Sequence, residues 1–113
     1  MKITEESIEN IVMIAVSGRI DLITSRDLET VLNRAIDKNQ WIIVDLKDTE
    51  YISSSGLRVL LAGLKRLKAK NGDLRLISLQ PVVREVFEIS GLSNLFSLHV
   101  NLKEAVNSLS PKE

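Results

Sequence analysis

The chain contains no cysteine and a single histidine, His99. A chain without cysteine has no disulfide framework, no thiol nucleophile and no cysteine-ligated metal. One imidazole cannot build a histidine-rich metal site or a pair of imidazole acid/base groups. The five glycines are scattered, and none belongs to a phosphate-binding loop of either common type. A Gly-x-Ser-x-Gly elbow is missing as well, although Ser54-Ser55-Gly56 falls at a strand-to-helix turn. Charge of one sign is lacking: 15 basic residues face 15 acidic ones, for a formal net charge of zero. That balance argues against direct nucleic-acid binding, which usually shows a basic excess. No apolar run approaches the ~20 residues of a bilayer span. The N-terminus, Met1-Lys2-Ile3-Thr4-Glu5-Glu6, carries acids where a signal peptide would place an apolar core. These absences suggest a soluble protein of the cytoplasm, without membrane insertion and without a cofactor.

What remains is an ordinary core composition. The 113 residues are 44% hydrophobic, which suits one domain. Residues 1–110 are assigned to it, with 111–113 as a tail. Lys2 to Ile8 is a short edge strand, and Glu9-Asn10 a turn. Ile11 to Val16 is a β-rich run closing a hairpin, ended by Gly18-Arg19-Ile20-Asp21. A first helix is capped by Thr24, with Asp27 as the capping-box acid and Ile23 and Leu28 as a hydrophobic staple. Leu28, Val31, Leu32, Ala35 and Ile36 recur at helical spacing and need a sheet to cover them. Trp41 to Leu46 is apolar on both faces, apart from Asp45, as a central strand would be. Lys47-Asp48-Thr49-Glu50 reads as a solvated loop.

Leu57, Leu60, Leu61, Leu64 and Leu67 form the stripe of a second helix, which Asn71-Gly72 stops. Leu74 to Leu79 is the next strand. Pro81 starts a third helix whose buried side is Val82, Val83, Val86, Phe87 and Ile89. Gly91 follows in a left-handed position, with Leu92 against Phe87. Leu95 to Val100 is a last strand, and Asn101 begins a final helix with Glu104 three residues on. The order β-β-α-β-α-β-α-β-α implies an α/β fold with a mostly parallel sheet of about five strands and about four helices.

Candidate chemistry is sparse. Asp21 and Asp45 end expected strands, where two carboxylates would hold Mg²⁺ or serve as acid and base. The competing explanation is that they are loop acids that stop strands. His99 is either a strand histidine or a lone functional one. Trp41 and Tyr51 are read as packing residues. The cations of the second helix, Arg58, Lys65, Arg66, Lys68 and Lys70, form a solvated face that complements the helix dipole, or else a surface for an acidic partner. Ser53-Ser54-Ser55-Gly56 stands apart. One serine serves as an N-cap. The other two hydroxyls remain at a helix N-terminus, where a phosphate is tolerated and adds ~−2 charge at an exposed point.

Val44-Asp45-Leu46, Tyr51-Ile52-Ser53-Ser54-Ser55-Gly56-Leu57 and Leu60-Leu61 together resemble the signature of the STAS domain family, and within it the bacterial anti-sigma factor antagonists. Gly18-Arg19-Ile20-Asp21 matches the family's second landmark, and the length and element order match too. The family's usual motif is Asp-Ser-Ser/Thr/Ala-Gly-Leu, with the phosphorylated serine two residues before the glycine. Carried over, that serine is Ser54, ahead of Ser55 and Ser53. Ser53 stands where the family usually has aspartate.

The resemblance implies a non-enzymatic partner switch. The unphosphorylated chain binds an anti-sigma factor, commonly itself a serine kinase, and frees a sigma factor. Phosphorylation of Ser54 ends binding, and a serine phosphatase resets the cycle. Asp21, Ser53, Ser54, Ser55, Gly56 and Arg58 are the implied contact residues. A weak homodimer is left open. The alternative is a constitutive STAS subunit of a membrane transport or sensory assembly. A small nucleotide-binding protein or hydrolase using Asp21, Asp45 and the serine-loop amides is the third possibility, and it lacks a base, a metal cluster and a phosphate loop.

Overall fold

The computed structural model describes residues 1–109; the expected 111–113 tail, with residue 110, lies outside the described residues. Five strands form one sheet in sequence order: β1 (Lys2–Ile8), β2 (Ile11–Ile20), β3 (Trp41–Ile52), β4 (Asp73–Ile77) and β5 (Ser97–His99). Only the β1–β2 hairpin is antiparallel; β2–β3, β3–β4 and β4–β5 are parallel. The helices are α1 (Thr24–Lys38), α2 (Ser54–Ala69), α3 (Pro81–Ile89) and α4 (Leu102–Leu109), with a 3-10 turn at Leu92–Asn94. The expected order of elements and the mostly parallel sheet are observed.

Alternation along the strands divides two cores. Val12, Ile14, Val16, Ile42, Val44, Leu46, Leu74 and Leu76 face α1, α2 and α3. Ile11, Ile43 and Ile77 point the other way, onto Ala105 and Leu109 of α4. Ile42, Ile43 and Val44 are fully buried, so the first half of β3 is covered on both faces. From α2, Leu57, Leu60, Leu64 and Leu67 enter the larger core, each contributing roughly 1.5–3 kcal/mol.

The strand ends differ from the sequence expectation. β2 runs on through Gly18-Arg19 to Ile20, and β3 continues through Lys47-Asp48-Thr49-Glu50 to Ile52. The polar segment is therefore strand, not a solvated loop. The β2–β3 register steps from Ala15↔Asp45 to Ser17↔Asp48, then from Gly18↔Thr49 to Arg19↔Tyr51. Extra residues on β3 at both bulges rotate its inward face, so Leu46, Thr49 and Ile52 are buried at a spacing of three. At the first bulge the buried Thr49 hydroxyl donates to the Val16 carbonyl at 2.8 Å.

β4 stops at Ile77, followed by Ser78 in the left-handed region (φ 60°), and β5 covers only Ser97–His99 because the preceding residues wind into the 3-10 turn. On α3, only Val83 and Phe87 are buried; Val82 and Ile89 are exposed, which corrects their assignment to the core. Val83 and Phe87 are one turn apart and fix the inward face. Phe87 meets Phe96 edge-on, ring centroids 5.6 Å apart, and Leu92 packs against the same core. The Asn71 amide donates to Lys68 and the Gly72 amide to Leu67, with Asn71 at φ 64°, which closes α2 in a Schellman turn.

Candidate functional site

β2 and β3 are parallel neighbours, so their carboxyl ends emerge together. Ile20 pairs with Ile52, and the Ser53 amide donates to the Ile20 carbonyl at 2.8 Å. Asp21 and Ser53, each the next residue in its chain segment, thus start adjacent loops at one edge of the molecule. Gly56 packs under both. A Cβ there would lie 2.6 Å from Ile20 Cγ2 and 2.8 Å from Ile52 Cγ1. The glycine lets the first turn of α2 sit directly on the two strand ends.

The three serines have different tasks. Ser53 is the N-cap of α2: its backbone is extended (φ −89°, ψ 172°), and its Oγ accepts from the Gly56 amide at 3.2 Å. Its carbonyl accepts the first helical bond, from Leu57 at 3.0 Å. Ser54 begins the helix and is exposed, and Ser55 is half-buried. Among the described residues, neither the Ser54 nor the Ser55 hydroxyl has a hydrogen-bond partner. Arg58, one turn after Ser54, is exposed and also unpaired among the described residues.

The Asp21 loop is tightly bonded. Asp21 Oδ1 accepts from the Ile23 amide at 3.0 Å and the Thr24 amide at 2.9 Å. In return the Asp21 amide donates to Thr24 Oγ1 at 2.8 Å. The Thr24 hydroxyl proton serves the Arg19 carbonyl at 2.8 Å or Asp21 Oδ1 at 3.0 Å. The Ser25 amide already bonds the Asp21 carbonyl at 2.9 Å. The reciprocal box therefore joins Asp21 and Thr24, three residues before the expected Thr24–Asp27 box. Thr24 makes no cap bond of its own to the helix, and Ile23 is 73% exposed, so the expected Ile23–Leu28 staple does not form. Hydrogen bonds from Thr24, first its amide and then its hydroxyl, hold the Asp21 carboxyl below the usual aspartate range.

Two features near the serine turn were missed by sequence reasoning. Leu22 and Ile23 project from the bonded loop at 62% and 73% exposure. Counting back from the buried Leu28 places positions 25, 24 and 21 on the helix's inward side and leaves 22 and 23 outside it; that arithmetic was available from the sequence. Arg19 stacks on Tyr51, its guanidinium carbon 4.3 Å from the ring centroid, across the last β2–β3 pairing but one. Tyr51 is thus a surface platform for a cation rather than a core residue. Trp41 does pack, against the α4 face.

The other candidates fall away from this corner. Asp45 lies in mid-strand beside Ala15, its Oδ1 accepting from the Lys47 amide at 2.9 Å. It is six strand residues back from Asp21's level, roughly 20 Å, so the two carboxylates do not form a metal or acid/base pair. No cluster of three or more metal-ligating side chains occurs among the described residues. His99 sits on β5, two strands from β3, with Nδ1 2.8 Å from Glu104 Oε1, and it ties β5 to α4. An open cleft lined by Lys2, Thr4, Ala15, Ser17, Asp45 and Asp48 lies along the middle of β1–β3, away from the serines. No helix among the described residues is long and apolar enough to cross a membrane.

A hairpin-led, mostly parallel sheet with a serine-capped helix after its central strand defines a class. The sequence profile of the STAS domain matches residues 2–105, and the chain belongs to that family. Among its relatives is BtrV of Bordetella bronchiseptica, which carries the name of an anti-sigma factor antagonist. It is 39% identical over 106 residues, covering 93% of this chain and 90% of BtrV. The anti-sigma F factor antagonist of Paenibacillus polymyxa is 27% identical over 111 residues, 96% of this chain and 95% of that one. The crystal structure of an anti-sigma factor antagonist from Mycobacterium paratuberculosis superposes with a TM-score of 0.88 at 26% identity, covering 96% and 92% of the two chains.

Proposed function

We propose that this chain is an anti-sigma factor antagonist whose binding is switched off by phosphorylation of Ser54. One observation carries the choice of residue: Ser53 is occupied as the cap of α2, whereas the exposed Ser54 hydroxyl has no partner within the described residues. Relatives named as anti-sigma factor antagonists support the role. In this reading the unphosphorylated chain binds an anti-sigma factor in the cytoplasm and a sigma factor is released. The anti-sigma factor is also the kinase. The Ser54 oxygen bonds to the γ-phosphorus of ATP, ADP leaves, and the hydroxyl proton is lost. A serine phosphatase restores the hydroxyl.

The Asp21 loop supports the contact surface. Its bonded turn presents Leu22 and Ile23 as a fixed apolar knob on the loop that adjoins the serine turn, with little ordering left to do on binding. Ser55 and Gly56 complete the turn, and Arg58 flanks it. Going from mostly bound to mostly free takes ~5.5 kcal/mol. Like-charge contact at an interface costs several kcal/mol, so a desolvated phosphoserine is sufficient. Incubation with the kinase and ATP, followed by intact mass, tests the acceptor. One phosphate on the native chain and none on Ser54→Ala is expected; an equally phosphorylated Ser54→Ala refutes the assignment.

A further inference from the structure

α2 carries Arg58, Lys65, Arg66 and Lys68 and no carboxylate. Two of the four cations are matched by acids elsewhere: Arg66 pairs with Asp37 at 2.7 Å and Lys68 with Asp73 at 3.4 Å. Arg58 and Lys65 have no carboxylate within pairing distance among the described residues. Both are exposed, and both lie on the side of the helix opposite the buried Leu57, Leu60, Leu64 and Leu67. Ser54, Arg58, Ala62, Lys65 and Ala69 are all exposed and follow one another at three- and four-residue steps. They form a single outward stripe that starts at the proposed phosphoacceptor. Lys65 lies eleven residues beyond Ser54, about 17 Å along the axis.

Dipole complementarity accounts for cations in the last turns, where Arg66 and Lys68 stand. It does not account for Arg58, which sits in the second turn, near the positive end, where a cation is disfavoured. Ala62 keeps the stripe low between the two cations, and Ala69 keeps it low beyond Lys65, so that an approaching backbone meets no large side chain along it. A pair of unmatched cations with a small residue between them is complementary to an acidic surface.

We infer that this stripe is the docking surface for a carboxylate-rich face of the anti-sigma factor, with Lys65 as its outer contact. The inference rests on the proposed function for the partner's identity. It also states how the switch acts. A phosphate on Ser54 stands one turn from Arg58, at the spacing where side chains on a helix pair. The phosphorylated chain therefore neutralises Arg58 internally and leaves a net negative charge against the partner's carboxylates.

The test measures binding of the purified anti-sigma factor from the same genome to the wild-type chain, Lys65→Glu, Lys65→Gln, Ser54→Asp and Lys103→Glu. Lys103 lies on α4, across the sheet, and its reversal changes net charge equally. Circular dichroism confirms that each variant is folded. The expected result is a loss of about tenfold for Lys65→Glu that shrinks as salt is raised, a smaller loss for Lys65→Gln, and none for Lys103→Glu. Equal affinities for Lys65→Glu and Lys103→Glu overturn the docking surface, even if Ser54→Asp releases the partner. Loss at Lys65 with retained binding by Ser54→Asp upholds the surface and refutes the phosphoswitch. Absence of binding by the wild-type chain overturns both.

Discussion

The Ser53 amide donates to the Ile20 carbonyl at 2.8 Å, which joins the serine turn to the Asp21 loop at its first residue. The two loops are thereby one surface. Ser53 holds the helix, Asp21 holds the Leu22–Ile23 turn, and the exposed Ser54 follows Ser53 with a hydroxyl that has no partner among the described residues.

Gly56 is where that surface meets the core. Gly56→Ala gains helix propensity, but the new methyl would press on Ile20 and Ile52, both buried and stiff at their branched carbons. Overpacking wins, and the substitution should cost about 1–3 kcal/mol in chemical denaturation. An Ala variant as stable as the native chain would show that the turn sits less closely on the strands than described.

Ser53 and Ser54 should separate cleanly by substitution. Ser53→Ala removes the cap and should lower stability by about 1 kcal/mol. Ser53→Asp keeps an acceptor at the cap and adds an anion beside the positive helix end, so stability should be restored. Ser54→Ala should leave the melting temperature unchanged, because the Ser54 hydroxyl bonds nothing among the described residues. A larger loss for Ser54→Ala than for Ser53→Ala in thermal melts would reverse the roles assigned here.

Thr49→Val tests the bulge. The side chain is fully buried and its hydroxyl satisfies the Val16 carbonyl. Valine preserves shape and leaves that carbonyl without its donor, at a cost of about 1–3 kcal/mol. Equilibrium unfolding in urea reads this directly, and no change would mean that water reaches the bulge.

Asp21 predicts a pH dependence. Its carboxyl is held below the ordinary aspartate pKa of about 3.9 by the Thr24 bonds. A group with a depressed folded pKa stabilises the fold above its unfolded pKa, and that contribution disappears as pH falls through the folded value. Carboxyl chemical shifts should place the Asp21 midpoint below the usual range, with the Ile23 and Thr24 amides moving in step. In Thr24→Val the midpoint should rise. A midpoint in the ordinary range would contradict the bonded loop.

The order of elements was legible because apolar residues repeat at helical spacing in α1 and α2 and run together in the first half of β3. The serine turn and Asp21 are legible as landmarks, and the family resemblance implies that they lie together. The strand pairing and the Ser53–Ile20 bond that join them are not legible, since they depend on both strands running longer than their apolar cores. Lys47-Asp48-Thr49-Glu50 looks like a loop because two bulges change the inward spacing from two to three. Thr24 resembles a cap because a threonine precedes a periodic helix; the cap lies three residues earlier because Asp21 bonds the Thr24 amide first. Leu22 carries no sequence signal of its own, and Ile23 reads as a staple with Leu28 because apolar residues beside a helix start are readily assigned to its core; Val82 and Ile89 read as core of α3 in the same way.

The most direct measurement is calorimetric titration of the anti-sigma factor with this chain bearing phosphoserine at position 54, beside the unmodified chain and Ser54→Ala. The account predicts tight binding by the unmodified chain and by Ser54→Ala, and a loss of binding for the phosphorylated chain while its fold is retained. Equal affinity for the phosphorylated and unmodified chains would contradict it.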